Sequence, residues 1–117
     1  MLMGDFSAYV NLTESLGRIG GNKKILLMLL DKFEKDKNYD ELINAVESGD
    51  ISKSANAAHA IKGMAANLSM PVLYDAATNY EKELKAGSHV PELFEAFKQA
   101  RELTMQSLTA VRQELNS

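Results

Sequence analysis

Apolar residues recur along this chain at helical spacing, and glycines divide the pattern into segments. Leu12, Leu16 and Ile19 mark a short N-terminal segment that Gly20-Gly21 ends. Asn22 is placed to cap the helix that follows. Leu26, Leu29, Leu30 and Phe33 form one stripe there, and Tyr39, Leu42, Ile43 and Val46 form another. The two stripes are out of phase by about half a turn of a 3.6-residue helix. The polar stretch 34–38 lies between them, so a kink, a break or burial against different neighbours is expected. The run Ile25-Leu26-Leu27-Met28-Leu29-Leu30 is flanked by charge and reads as a buried helix segment.

Gly49 closes that region and Asp50 can cap a third helix over about 51–68. Ile51, Ala58, Ile61, Ala65 and Leu68 share one face of it. His59 follows Ala58 by one residue, about 100° around the axis, so it projects away from that stripe. Lys62, Gly63 and Ala66 fall on the His59 side. Ser69-Met70-Pro71 reads as a restart, with Ser69 as cap and Pro71 in the first turn. Leu73, Ala76, Ala77, Tyr80 and Leu84 give the fourth helix its apolar face, and Gly87 stops it. The last helix starts near Pro91 and buries Leu93, Phe97, Ala100, Leu108, Val111 and Leu115. Short links between the last four helical regions predict an all-α fold, an antiparallel four-helix bundle with an additional short N-terminal helix across one end.

Size and charge narrow the function. With 117 residues, 1–117 reads as one domain, long enough to bury a core without staples. There is no cysteine, which removes disulfides and thiolate metal sites and fits a reducing compartment. The formal net charge of −3 lowers the expectation of nucleic-acid binding. No apolar run approaches the roughly 18 residues of a membrane span. Residues 1–5, Met-Leu-Met-Gly-Asp, carry no basic leader, so a cytoplasmic protein is the expectation.

The chemistry concentrates in Ala58-His59-Ala60-Ile61-Lys62-Gly63. One exposed strip then carries a nucleophile, a positive charge and an absence of bulk. A neutral imidazole nitrogen is a good phosphoryl acceptor near neutral pH, and a cation one turn along can pair with the charge that arrives. Glycine in mid-helix is about 1 kcal/mol less favourable than alanine. Close approach of another backbone would offset that, and Ala55, Ala60 and Ala66 are small as well. Taken singly these residues have plainer readings: His59 as a surface residue, Lys62 as a solvated charge, Gly63 as a tight helix crossing, Glu81 as an exposed carboxylate. His89, in the turn after Gly87, reads as solvent-exposed, and most methionines as core filling.

The stretch Ala58-His59-Ala60-Ile61-Lys62-Gly63-Met64-Ala65-Ala66-Asn67-Leu68 resembles the signature of histidine-containing phosphotransfer (HPt) domains. The usual pattern there is Ala-His-x-Leu-Lys-Gly, then small residues, an apolar residue and often glycine. Gly20-Gly21, Gly49-Asp50, Tyr80-Glu81 and Lys85-Ala86-Gly87 resemble further family features, so the likeness spans nearly the whole chain. It implies that His59 carries the phosphoryl group at Nε2 and that Lys62 offsets its charge. It implies that Gly63, with Ala55, Ala66 and Met64 around it, receives a response-regulator receiver domain. Glu81 falls where the family often has Glu or Gln bonded to the other ring nitrogen. Ser69 departs from the usual glycine at the helix end, and Met64 is larger than the common residue.

The implied function is a phosphorelay intermediate between receiver aspartates in two-component signalling, a monomer with receiver domains and a hybrid sensor histidine kinase as partners. The resemblance implies no cofactor and no metal on this chain, with Mg²⁺ on the receiver. A Gly-rich phosphate loop is missing, so no autonomous kinase activity is expected. The alternatives are the phosphoacceptor domain of a chemotaxis-type histidine kinase and a non-phosphorylated helical adaptor. A carboxylate metal bundle would need Glu-x-x-His pairs, but Asn56 and Ala86 precede the two histidines at that spacing.

Overall fold

The computed structural model describes residues 6–117. Residues 1–5, read above as carrying no basic leader, lie outside that range. Among the described residues there are six helices and no strand: α1 (Leu12–Arg18), α2 (Lys23–Lys35), α3 (Asn38–Glu47), α4 (Ile51–Asn67), α5 (Pro71–Lys85) and α6 (Pro91–Leu115). No helix among these is long and apolar enough to cross a membrane.

The helix starts follow the local chemistry. Asn11, Asn22 and Asp50 each accept a backbone N–H from the first turn of α1, α2 and α4, satisfying donors that a helix cannot pair internally. The expected discontinuity between the two stripes is a full break. Asp36 is extended, and its Oδ1 accepts the Asn38 N–H at 2.8 Å, an Asx turn that re-aims the chain into α3. Each stripe can then reach the core from its own helix.

The helices pack in a chain of neighbours: α3 on α4, α4 on α5, α5 on α6, and α2 back on α6. Leu30, Leu42, Ala58, Ala65, Leu73, Ala77, Tyr80, Phe97 and Val111 are fully enclosed in the single core cluster. Alanines dominate the α4 contribution, so α4 and α5 approach closely. The apolar run of α2 is only half buried. Leu26 and Leu30 face the core, while Ile25 and Met28 are exposed at 42% and 60%. A helix resting on one side of a bundle cannot bury six consecutive residues, because they span more than a full turn.

The α4–α5 turn differs from the expected cap. Ser69 does not cap α5; Met70 holds the N-cap position without a side-chain bond, and Pro71 begins the helix. Ser69 instead adopts a left-handed conformation, φ +56°, the geometry that terminates a helix and that glycine usually supplies. The surrounding contacts hold it there. Its carbonyl accepts the Asn11 N–H at 2.8 Å, and its hydroxyl accepts Arg18 Nε–H at 3.1 Å. The buried Ser15 hydroxyl donates to the Leu68 carbonyl at 2.6 Å. These bonds fasten α1 over the end of α4.

Candidate functional site

His59 lies in the middle of α4 with its side chain 62% exposed, while Ala58 beside it is fully buried. The one-residue offset from the core stripe produces that contrast, as the helical period predicts. Gly63 and Ala66 follow on the same side, exposed and half-buried. A Cβ built on Gly63 would meet nothing within 4 Å. No helix crossing inside the domain therefore requires glycine there. Gly63→Ala is expected to raise stability by about 0.5–1 kcal/mol, because alanine is the better helix former and has open space to occupy. Denaturant unfolding of the variant checks this; a loss of stability would reveal an internal contact.

Glu81 of α5 is the centre of the site. It is a carboxylate at 2% exposure, not the surface residue that its charge alone suggests. Its Oε2 accepts His59 Nδ1–H at 2.7 Å and Lys85 Nζ at 2.9 Å. Its Oε1 accepts Lys62 Nζ at 2.8 Å. Burial alone would push the Glu81 carboxyl up; the bonds from Lys62, Lys85 and His59 outweigh it and bring it down from 4.5 to about 2. The same bond to Glu81 raises Lys62 against the opposing effect of its own desolvation.

Two consequences follow. Glu81 remains ionised at any ordinary pH, and a carboxylate can only accept. The shared proton therefore sits on Nδ1 of His59, and in the neutral ring Nε2 holds the lone pair, on a side chain that is largely exposed. Such a nitrogen is a nucleophile with no proton to lose before it attacks. The second consequence concerns acid stability. A carboxyl depressed on folding contributes stability that is complete above about pH 4.5 and disappears as pH falls towards 2. The contribution is on the order of 3 kcal/mol at most. Thermal unfolding of wild type should lose ground across that window, and Glu81→Gln should flatten this part of the profile.

The other expected residues are distributed as follows. Lys62, 26% exposed, rests on Glu81 in the unmodified protein rather than standing free beside His59. Ala55 is 8% exposed and belongs to the core cluster, so it contributes little to the open strip. Met64 is half-buried and packs against the core, lining a small gap with Phe33, Tyr39, Ile61 and Arg101, off the His59 strip. His89 is exposed as expected, with Nδ1 hydrogen-bonded to the fully buried Tyr80 hydroxyl at 2.8 Å. Lys85 completes the cluster beyond the expected residues, and its spacing of four from Glu81 on one helix face is the sequence signal for it.

Two clefts lie elsewhere, and His59 lines neither. A cleft of about 590 Å³ lies between α3 and α4 near Glu41, Asp50 and Lys53. A smaller one of about 400 Å³, lined by Glu14, Arg18, Ala66, Ser69 and Tyr74, continues the His59 strip towards α1. A nucleophile on an open helix face suits a reaction partner that is itself a folded surface. A sequence model of the Hpt domain family matches residues 25–116. No curated protein and no solved structure shows a significant match.

Proposed function

The chain belongs to the Hpt domain family, and on that premise we propose that His59 is its phosphoryl carrier, charged by one receiver aspartate and discharged to another. Family membership implies phosphotransfer in two-component signalling. The observation that carries the assignment to His59 is the 2.7 Å bond from Nδ1 to buried Glu81, which leaves Nε2 unprotonated on an exposed strip.

The step is an in-line displacement. The Nε2 lone pair forms a bond to phosphorus as the bond from phosphorus to the aspartyl oxygen breaks. The leaving carboxylate takes that electron pair, and the phosphoryl group keeps its charge. The ring becomes cationic because Nδ1 retains its proton. Glu81 beneath Nδ1 stabilises that developing charge with no movement, which is electrostatic preorganisation. Passing the group on reverses these events. Lys62, one turn along α4, offsets charge on the phosphoryl oxygens. The receiver supplies the acyl phosphate and its Mg²⁺, so this chain contributes position and charge.

Gly63 and Ala66 form the low ground on which the receiver docks, extending towards the cleft at Ser69 and Tyr74. Gly63→Trp should therefore slow transfer from a phosphorylated receiver by about tenfold or more without unfolding the protein, since the added ring projects into open space. An unchanged rate would contradict the docking role. This reading includes residues 1–117 as a single monomeric domain. It also includes an antiparallel four-helix arrangement of α2–α3, α4, α5 and α6, with α1 added at one end.

The test is label transfer. Phosphorylated receivers are mixed with the protein, and the label is followed to an acid-labile histidine. Label on His59 is expected from at least one receiver. Label from an ATP-bound kinase domain and from no receiver would favour the kinase phosphoacceptor reading. Label from neither would favour the adaptor.

A further inference from the structure

The two lysines on Glu81 occupy different places, and the phosphotransfer reading gives each a separate task. We propose that Lys85 is a positioning residue for phosphoryl transfer, the cation that remains on Glu81 and so frees Lys62 to engage the phosphoryl group on His59. This inference rests on His59 being the phosphoryl carrier.

The argument starts from burial. The Glu81 side chain is 3% exposed, too enclosed to be left ionised without a cation. In the unmodified protein it has two, Lys62 on Oε1 and Lys85 on Oε2. A single carboxylate needs only one. The cluster therefore holds one positive charge in excess, next to a ring poised to receive a dianionic group.

Position decides which lysine moves. Nδ1 and Nε2 lie on different sides of the imidazole, and Glu81 contacts Nδ1. An ammonium in contact with Glu81 must shift to contact a phosphoryl group on Nε2. Lys62 shares α4 with His59, one turn away, and lies on the oxygen that His59 does not use. Its departure leaves the Nδ1–Oε2 bond in place. Lys85 approaches from the end of α5 and shares Oε2 with Nδ1, so it reinforces the oxygen that fixes the ring. It is 60% exposed, so solvent rather than packing surrounds much of its side chain. Without Lys85, Lys62 would have to serve a buried carboxylate and a phosphoryl group at once.

The test compares phosphohistidine lifetime, and the equilibrium partition of label with a receiver, in wild type, Lys85→Met, Lys85→Arg, Lys62→Met and the double Lys62→Met/Lys85→Met variant. Label is introduced from a phosphorylated receiver and, separately, from phosphoramidate. Lys85→Met is expected to shorten the lifetime and to shift the partition towards the receiver by about three- to fivefold, the size of a half-exposed ion pair. Lys85→Arg should restore most of it. On the Lys62→Met background the further loss of Lys85 should cost more than it does alone, because it removes the last lysine from the buried Glu81 carboxylate. A merely structural surface pair would not give that non-additivity. Wild-type behaviour in Lys85→Met overturns the inference, as does an equal effect of Lys85→Met in both backgrounds. Wild-type protein that takes no label from either donor overturns the carrier reading itself, and this inference with it.

Discussion

His59→Gln is expected to take no label from any phosphorylated receiver, a loss of at least about a thousandfold, while the protein stays folded. The chemical part is simple: glutamine has no nitrogen lone pair able to attack phosphorus, and no second histidine stands in the site. His89 is in the turn between α5 and α6, bonded to Tyr80 rather than to Glu81. The structural part follows from exposure. The His59 side chain is largely in solvent and makes one hydrogen bond, to Glu81. Glutamine is a good helix former and can keep a donor near the carboxylate, and Lys62 and Lys85 still neutralise it. The change in stability should stay within about 1 kcal/mol. Acid-labile label and a melting curve on the same preparation check both halves. Label retained by the folded variant would mean that another group carries the phosphoryl, and the site would have to be sought elsewhere.

The helices themselves were legible because their signals are local. Asn22 and Asp50 cap where side-chain chemistry places them, and the phase shift between the Leu26 and Leu42 stripes becomes a break at Asp36. The exposure of His59 was legible for the same reason, since one residue's rotation from a buried alanine decides it.

Other residues were placed by type when period was the better guide. Ala55 sits four residues after Ile51 and three before Ala58, which is the core face, and it is buried there. Met64 stands three after Ile61, on the edge of the core stripe. Glu81 lies between Ala77 and Leu84 at helical spacing, so the pattern directed it inward while its charge suggested solvent. What settles the conflict is tertiary. Lys62 arrives from α4 and Lys85 from the next turn of α5, and together they make a buried carboxylate tolerable. Ser69 is of the same kind. Its left-handed backbone depends on Asn11 and Arg18, more than fifty positions away, and no local rule could supply them.

That buried carboxylate is the source of the second large effect. Glu81→Gln is expected to slow phosphoryl transfer to His59 by about ten- to a hundredfold while preserving the helices. The amide matches the carboxylate in size but carries one acceptor and one donor. If its oxygen faces Lys62, the less exposed lysine, its NH₂ faces Nδ1 of His59. The ring must then accept at Nδ1, which moves its proton to Nε2 and blocks the nucleophile. If the amide is turned over, its NH₂ opposes the Lys62 ammonium. Either orientation removes the negative charge that stabilises the cationic ring as the bond to phosphorus forms. Single-turnover label transfer gives the rate, and the ¹⁵N shifts of His59 report which nitrogen holds the proton. A slow variant with the proton on Nε2 or exchanging between both nitrogens is the expected pair of results. A wild-type rate would mean that neither the tautomer nor the carboxylate charge contributes to transfer, and that Glu81 serves the packing of α4 on α5 alone.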